Sequence, residues 1–137
     1  GAFWLMRLPL KFLIKDSYTK WYFLGFFTWL GGIGVSRSQR KNLVGYSVEL
    51  LATTNYNLML APEGTRKKVD KWKTGFYHIA KEAGVNISLG YLDYSLKRAG
   101  LLAVLSPDNL ESTLGEIEAY YAPVKGKKPE NYNFKIY

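Results

Sequence analysis

The run Ala61-Pro62-Glu63-Gly64-Thr65-Arg66 brings together residue types that suit phosphate binding. A glycine such as Gly64 lets backbone amides approach an anion without a Cβ in the way. Arg66 offers a planar fork that can hold two phosphate oxygens at once and keeps its charge at physiological pH. Lys67, Lys68, Lys71 and Lys73 follow it as mobile point charges. Glu63 would be repelled by the same ligand, so its expected work is to orient Arg66 or to cap a backbone turn. Taken alone, these six residues also describe an ordinary polar turn followed by a solvated charge run.

Elements on either side must position the run. Asn57-Leu58-Met59-Leu60 reads as a short buried strand, which puts the run at a strand's end, where open α/β sheets bind their ligands. Ile33-Gly34-Val35 reads as another short strand, leading into a second basic loop, Ser36-Arg37-Ser38-Gln39-Arg40-Lys41. A crossover helix over Asn42 to Ala52 would join the two. If the strands are parallel neighbours, Arg37 and Arg66 open on one edge of the sheet and one anion could bridge them.

Lys11 to Ile14 is a further strand, and Asp16 or Ser17 caps a helix over Tyr18 to Leu30 that is apolar almost all round. It is shorter than the roughly 20 apolar residues that a bilayer helix needs. Two readings of it stay open, a buried core helix or a helix with one face in a membrane interface. Downstream, a helix starts at Lys73 or Thr74 and is stopped at Gly84, with strands over Val85 to Tyr91 and Leu101 to Leu105. A last helix over Ser112 to Tyr121 leaves Glu111, Glu116 and Glu118 exposed. Residues 123–137 are rich in Lys, Pro and Asn without a period, and are expected to lie along the surface as a tail. The fold class is therefore α/β, a mixed and largely parallel sheet flanked by helices, with one domain over residues 1–122.

A chain of 137 residues is one domain's worth with one core. Its 47% hydrophobic and 16% aromatic residues argue against disorder. Lys and Arg exceed Asp and Glu by 19 to 11, and the resulting +8 favours an anionic partner: nucleic acid, acidic lipid headgroups or a phosphorylated small molecule. With no cysteine, disulfides, thiolate metal sites and a cysteine nucleophile are excluded, and the single histidine, His78, excludes a His-rich metal site. The +8 charge and aromatics such as Trp72 and Tyr77 among lysines hint at nucleic-acid binding, but no recognition motif accompanies them.

Two blocks taken together carry a family likeness. Gly31, Ile33, Val35 and Arg37 meet a Gly-x-Ile-x-Val-x-Arg block, and Pro62 to Arg66 meet a Pro-Glu-Gly-Thr-Arg block about 25 residues later. Lys73-Thr74-Gly75-Phe76 and Ala80 to Val85 continue in the same order. In these motifs the chain resembles the glycerolipid acyltransferases, the lysophosphatidic acid acyltransferase family, over most of its length. The resemblance implies a glycerol-phosphate acyltransferase-like fold and transfer of a fatty acyl group to a lysophospholipid or glycerol-phosphate acceptor. The donor would be acyl-CoA or acyl carrier protein, with no further cofactor and no metal. Arg37 and Arg66 would hold the acceptor's phosphate, Gly64 and Thr65 would shape the loop and supply donors, and Glu63 would fix the arginine geometry. Lys68 and Lys73 are possible additional cations. The implied partners are the acceptor and the donor, not nucleic acid; independently of the family, the cations of Arg37 to Lys41 and Arg66 to Lys73 and the aromatic anchors of Trp21 to Trp29 predict peripheral attachment to an anionic membrane surface. The implied location is the cytoplasmic face of a membrane, peripheral or interfacially anchored.

Catalysis in that family uses a His-x-x-x-x-Asp pair, in which His takes the acceptor hydroxyl's proton and Asp orients the imidazole. Five positions after His78 stands Ala83, and four after it Glu82, so His78 does not open such a pair. The pair is expected upstream of Gly1, leaving these residues with the acceptor site and without catalytic activity of their own. His78 is then a packed or surface helix histidine. Ser36 stands where the family often has an acidic residue, and Val85 to Leu89 lacks the prolines of its fourth motif. A non-catalytic lipid- or phosphate-binding relative is the alternative reading.

Overall fold

The computed structural model describes residues 9–15, 26–64, 68–127 and 136–137. The chain forms two compact units, residues 1–60 and 61–137.

In the first unit, β1 (Leu10–Lys15) is the central strand of a three-stranded parallel sheet, between β2 (Gly32–Val35) and β3 (Asn57–Met59). Parallel neighbours cannot be joined by a hairpin, so the chain must cross over between them. It does so through α1 (Phe26–Trp29) before β2, and through α2 (Arg37–Lys41) and α3 (Leu43–Thr53) before β3. Gly31 makes the entry into β2 possible. Its φ is +98°, and a Cβ there would stand 2.5 Å from the Leu10 carbonyl oxygen. Only glycine lets this backbone lie so close to β1, and the Phe12 N–H then donates to the Gly31 carbonyl at 3.1 Å.

Two expectations change here. The strand at residues 57–60 is not buried: β3 is an edge of the sheet, with Asn57 and Met59 exposed and Leu58 half-buried. An apolar run alone does not distinguish an edge strand from a central one. Of the helix expected over residues 18–30, α1 is the part within the described residues, and residues 18–25 lie outside them. Phe26, Trp29 and Leu30 are 60%, 76% and 46% exposed, so this end of it is not a core helix.

The second unit holds α4 (Gly75–Ala83), β4 (Ile87–Asp93), β5 (Arg98–Leu105) and α5 (Leu110–Tyr121). Here the expected βα alternation stops. The link between β4 and β5 is Tyr94 to Lys97, too short for a crossover, and the strands pair antiparallel. Ser88 pairs with Val104 and Gly90 with Leu101, which leaves Leu89 facing both Leu102 and Ala103. This bulge turns two successive residues of β5 toward the core, and both pack there. The mixed α/β class stands, with its parallel strands in one unit and its antiparallel pair in the other.

Leu89, Leu105, Ile117 and Ile136 form the second unit's buried cluster, with Trp72, Phe76 and Tyr121 packed against it. Burying an isoleucine such as Ile117 stabilises the unit by about 1.5–3 kcal/mol. Ile136 comes from the segment expected along the surface, yet it is 1% exposed. Glu118, expected on the exposed face of α5, is half-buried and accepts the Ile136 N–H at 3.3 Å.

Candidate functional site

Arg37 is the first residue of α2, two positions beyond the end of β2. Ser36 makes this corner. Its Oγ accepts the Gln39 N–H at 3.4 Å, while Gln39 Oε1 accepts the Ser36 N–H at 2.9 Å. The reciprocal pair is a capping box, and it turns the expected basic loop at residues 36–41 into a five-residue helix. Asn42 then ends α2 and caps α3, its Oδ1 accepting the Gly45 N–H at 3.2 Å. The backbone of Arg37 is thus set by hydrogen bonds rather than left in a mobile turn.

β2 and β3 run parallel and end on the same edge of their sheet, but they are not neighbours, because β1 lies between them. They are also staggered. Val35 is level with Lys15 and Met59 with Phe12, a difference of three residues along β1. At strand spacings these ends lie about 10 Å apart in each direction. Strand order is set by long-range pairing, which neither basic segment reveals locally. Beside this corner, an open hollow between α2 and α3 is lined by Gln39, Asn42, Tyr46, Glu49 and Thr53 among others. Its described lining presents a carboxylate and neutral polar groups.

In the second unit, the Gly64 N–H donates to the Ala61 carbonyl at 3.1 Å, closing a turn over Pro62 and Glu63. Proline as the second residue and glycine as the fourth suit such a turn. The backbone closes this turn, so Glu63 is not needed to cap it; its side chain is half-buried. Gly64 has φ +65°, and Lys73 is folded back onto it: Nζ stands 3.2 Å from where a Gly64 Cβ would be. The Lys73 N–H donates to the Pro62 carbonyl at 3.0 Å. Trp72 anchors this return, donating its N–H to the Ile136 carbonyl at 2.9 Å and meeting Tyr121 edge to face at 5.7 Å.

Among the expected cations, Lys73 therefore lies against the turn at Gly64, and Lys68 is exposed on the same loop. Thr65 and Arg66 lie outside the described residues, and for Arg37 the backbone alone is described. The loop passes directly into α4, whose first turn Thr74 does not cap with its side chain. Unpaired N–H groups and the helix dipole at such an end favour a negative charge. Trp72 and Tyr77, the two rings that suggested nucleic-acid stacking, pack inward instead, Tyr77 at 4% exposure. His78 is exposed on α4, edge to face with Tyr77 at 5.4 Å.

Asp93 is a residue that the sequence reading did not single out. At the end of β4 its Oδ1 accepts Ser95 Oγ at 2.6 Å, Ser95 N–H at 2.8 Å and Leu96 N–H at 2.9 Å, while Oδ2 accepts Lys125 N–H at 3.3 Å. The Ser95 hydroxyl first, and then the backbone donors, hold its carboxyl well below the ordinary 3.8, at about 2, although burial acts in the opposite direction. The signal in the sequence was Asp-x-Ser after an alternating strand, an Asx-type turn.

The chain matches the acyltransferase family over residues 2–88, more than half its length, and it belongs to that family. Comparison with curated proteins and with solved structures gave no match. The matched span takes in both basic segments and α4, and it ends at Ser88, before the β4–β5 turn. Among the described residues, no group of His, Asp or Glu is arranged to hold a metal ion. No helix of the described residues is long and apolar enough to cross a membrane.

Proposed function

We propose that the chain serves an acyltransferase that moves a fatty acyl group from acyl-CoA or acyl carrier protein to a lysophospholipid or glycerol-phosphate acceptor. Its residues bind the acceptor's phosphate: Arg37 and Arg66 as cations, Gly64 and Thr65 as the shaped loop, and Glu63 as the group that orients an arginine. The observation that carries this reading is Lys73 folded against the Gly64 turn, within a chain that belongs to the acyltransferase family. A cation, an exposed glycine backbone and the start of α4, which the Thr74 side chain does not cap, adjoin in sequence and favour the same ligand charge. Lys68 adds a further cation on the loop.

Acyl transfer also needs a base to take the acceptor hydroxyl's proton, and in this reading a His-x-x-x-x-Asp pair outside these 137 residues supplies it. The acceptor is a membrane lipid or its precursor, so in this reading the protein works at a membrane surface, taken to be the cytoplasmic face. Exposed Phe26, Trp29 and Leu30 suit a peripheral attachment there.

The test is transfer of a labelled acyl group from acyl-CoA to lysophosphatidic acid, by these 137 residues and by the whole natural protein. The expected result is turnover by the whole protein and none by the 137 residues. No product from the whole protein with any thioester donor or glycerolipid acceptor would overturn the reading. The second reading is a non-catalytic lipid- or phosphate-binding relative, and a whole natural protein without any His-x-x-x-x-Asp pair would favour it. Retained phosphate binding without turnover by the whole protein is its signature.

A further inference from the structure

The turn between β4 and β5 exposes apolar side chains where a soluble hairpin would carry polar ones. Leu92, Tyr94 and Leu96 are 57%, 53% and 62% exposed. Lys97 and Arg98 follow at once, and Lys97 has φ +52°, which turns the chain back into β5. Lys125 is held beside the turn through its backbone, which donates to Asp93 and accepts the Tyr94 N–H at 3.0 Å. The acid of the turn, Asp93, is 6% exposed and spent on internal donors. The exposed charges of residues 94–98 and 124–127 are therefore all cationic. Asp108 and Glu111 follow the other end of β5.

Those hydrogen bonds bear on where such a turn can go. Moving a loop out of water costs free energy for every backbone N–H left without an acceptor. Here the Ser95 and Leu96 amides already donate to Asp93, and the Tyr94 amide to Lys125. Apolar tips with satisfied amides and a collar of cations match one kind of surface, the interface of an anionic bilayer. A nucleic acid or an acidic peptide would use the cations and leave the leucines in water.

We propose that the β4–β5 turn is a membrane-contact element, seating Tyr94 and Leu96 in the interface of an anionic bilayer while Lys97, Arg98 and Lys125 meet lipid phosphates. It rests on the reading of a membrane-borne acceptor, and it adds a contact surface outside the span matched to the family.

The chain has no cysteine, so Leu96→Cys carries a single environment-sensitive fluorophore. The labelled chain is mixed with phosphatidylcholine vesicles, with or without phosphatidylglycerol and with no lysolipid present. The expected result is a blue shift, and quenching by lipid-bound quenchers, with the anionic vesicles only. In otherwise unlabelled protein, Leu96→Asp lowers vesicle affinity about tenfold. Lys97→Asn, which suits the left-handed backbone, reduces the preference for anionic lipid. Unchanged far-ultraviolet circular dichroism establishes that each variant is folded. Co-sedimentation without any emission shift would put the contact elsewhere and overturn the proposal. An equal shift with RNA or heparin would overturn it as well, because a polyanion offers no apolar phase. No acyl transfer is measured, so a negative outcome here leaves the proposed reaction standing, and a failed transfer assay leaves the vesicle result standing.

Discussion

Lys73 is folded onto Gly64, its Nζ 3.2 Å from the point a Gly64 Cβ would occupy and its backbone N–H on the Pro62 carbonyl. The glycine thus answers two demands at once, a positive φ and room for a cation above the turn. Gly64→Ala is expected to cost about 1–2 kcal/mol for the left-handed backbone and to displace the lysine end. Gly64→Asn, which tolerates that φ, separates the effects: it restores most of the stability in urea denaturation and still weakens phosphate binding.

At the first unit's corner, Ser36→Ala removes the side-chain half of the capping box and is expected to cost about 1 kcal/mol. Ser36→Asp keeps the cap and the stability. Thermal unfolding of the two variants checks this, and equal losses would mean that the cap at α2 contributes nothing.

Gly31→Ala is expected to be the most damaging single change near the family's first block. Backbone strain alone costs on the order of 1–3 kcal/mol, and the added Cβ would overlap the Leu10 carbonyl at 2.5 Å. Loss of cooperative unfolding or of soluble expression is the expected readout; a wild-type melting curve would contradict the close approach of Gly31 to β1.

Asp93 sets a pH dependence whose sign follows from its lowered pKa. A carboxyl with a folded pKa of about 2 and an ordinary value of 3.8 stabilises the fold fully above 3.8. That contribution is lost as the pH falls from 3.8 through about 2. Hydrogen exchange at the Leu96 amide, followed through this window, should show protection falling in the wild type. Asp93→Asn should show weaker protection at neutral pH and no step in the window.

Several elements were legible because their signals are local. Asn42 and Gly84 mark helix ends by cap chemistry, and β2, α3 and α4 fall close to where the pattern puts them. Ser36 and Gln39 also form a local signal, but the surrounding Arg and Lys made the segment read as a basic loop. The features that escaped depend on contacts distant in sequence: β1 between β2 and β3, the exposure of β3, and Ile136 in the core. Of the residues proposed to bind phosphate, Gly64 was readable from its motif. The folding of Lys73 onto it depends on Trp72 reaching the Ile136 carbonyl, and no local pattern encodes that.

The central claim is that the loop through Gly64 and Arg66 holds the phosphate of a glycerolipid acceptor. Its most direct test is a calorimetric titration of the chain with lysophosphatidic acid and with the matching monoacylglycerol, which shares the acyl chain and lacks the phosphate. Lysophosphatidic acid should bind at least about tenfold more tightly, the scale of one charge-assisted hydrogen bond, and Arg66→Ala should reduce the difference. Equal affinities for the two lipids, or a preference that survives Arg66→Ala intact, would contradict it.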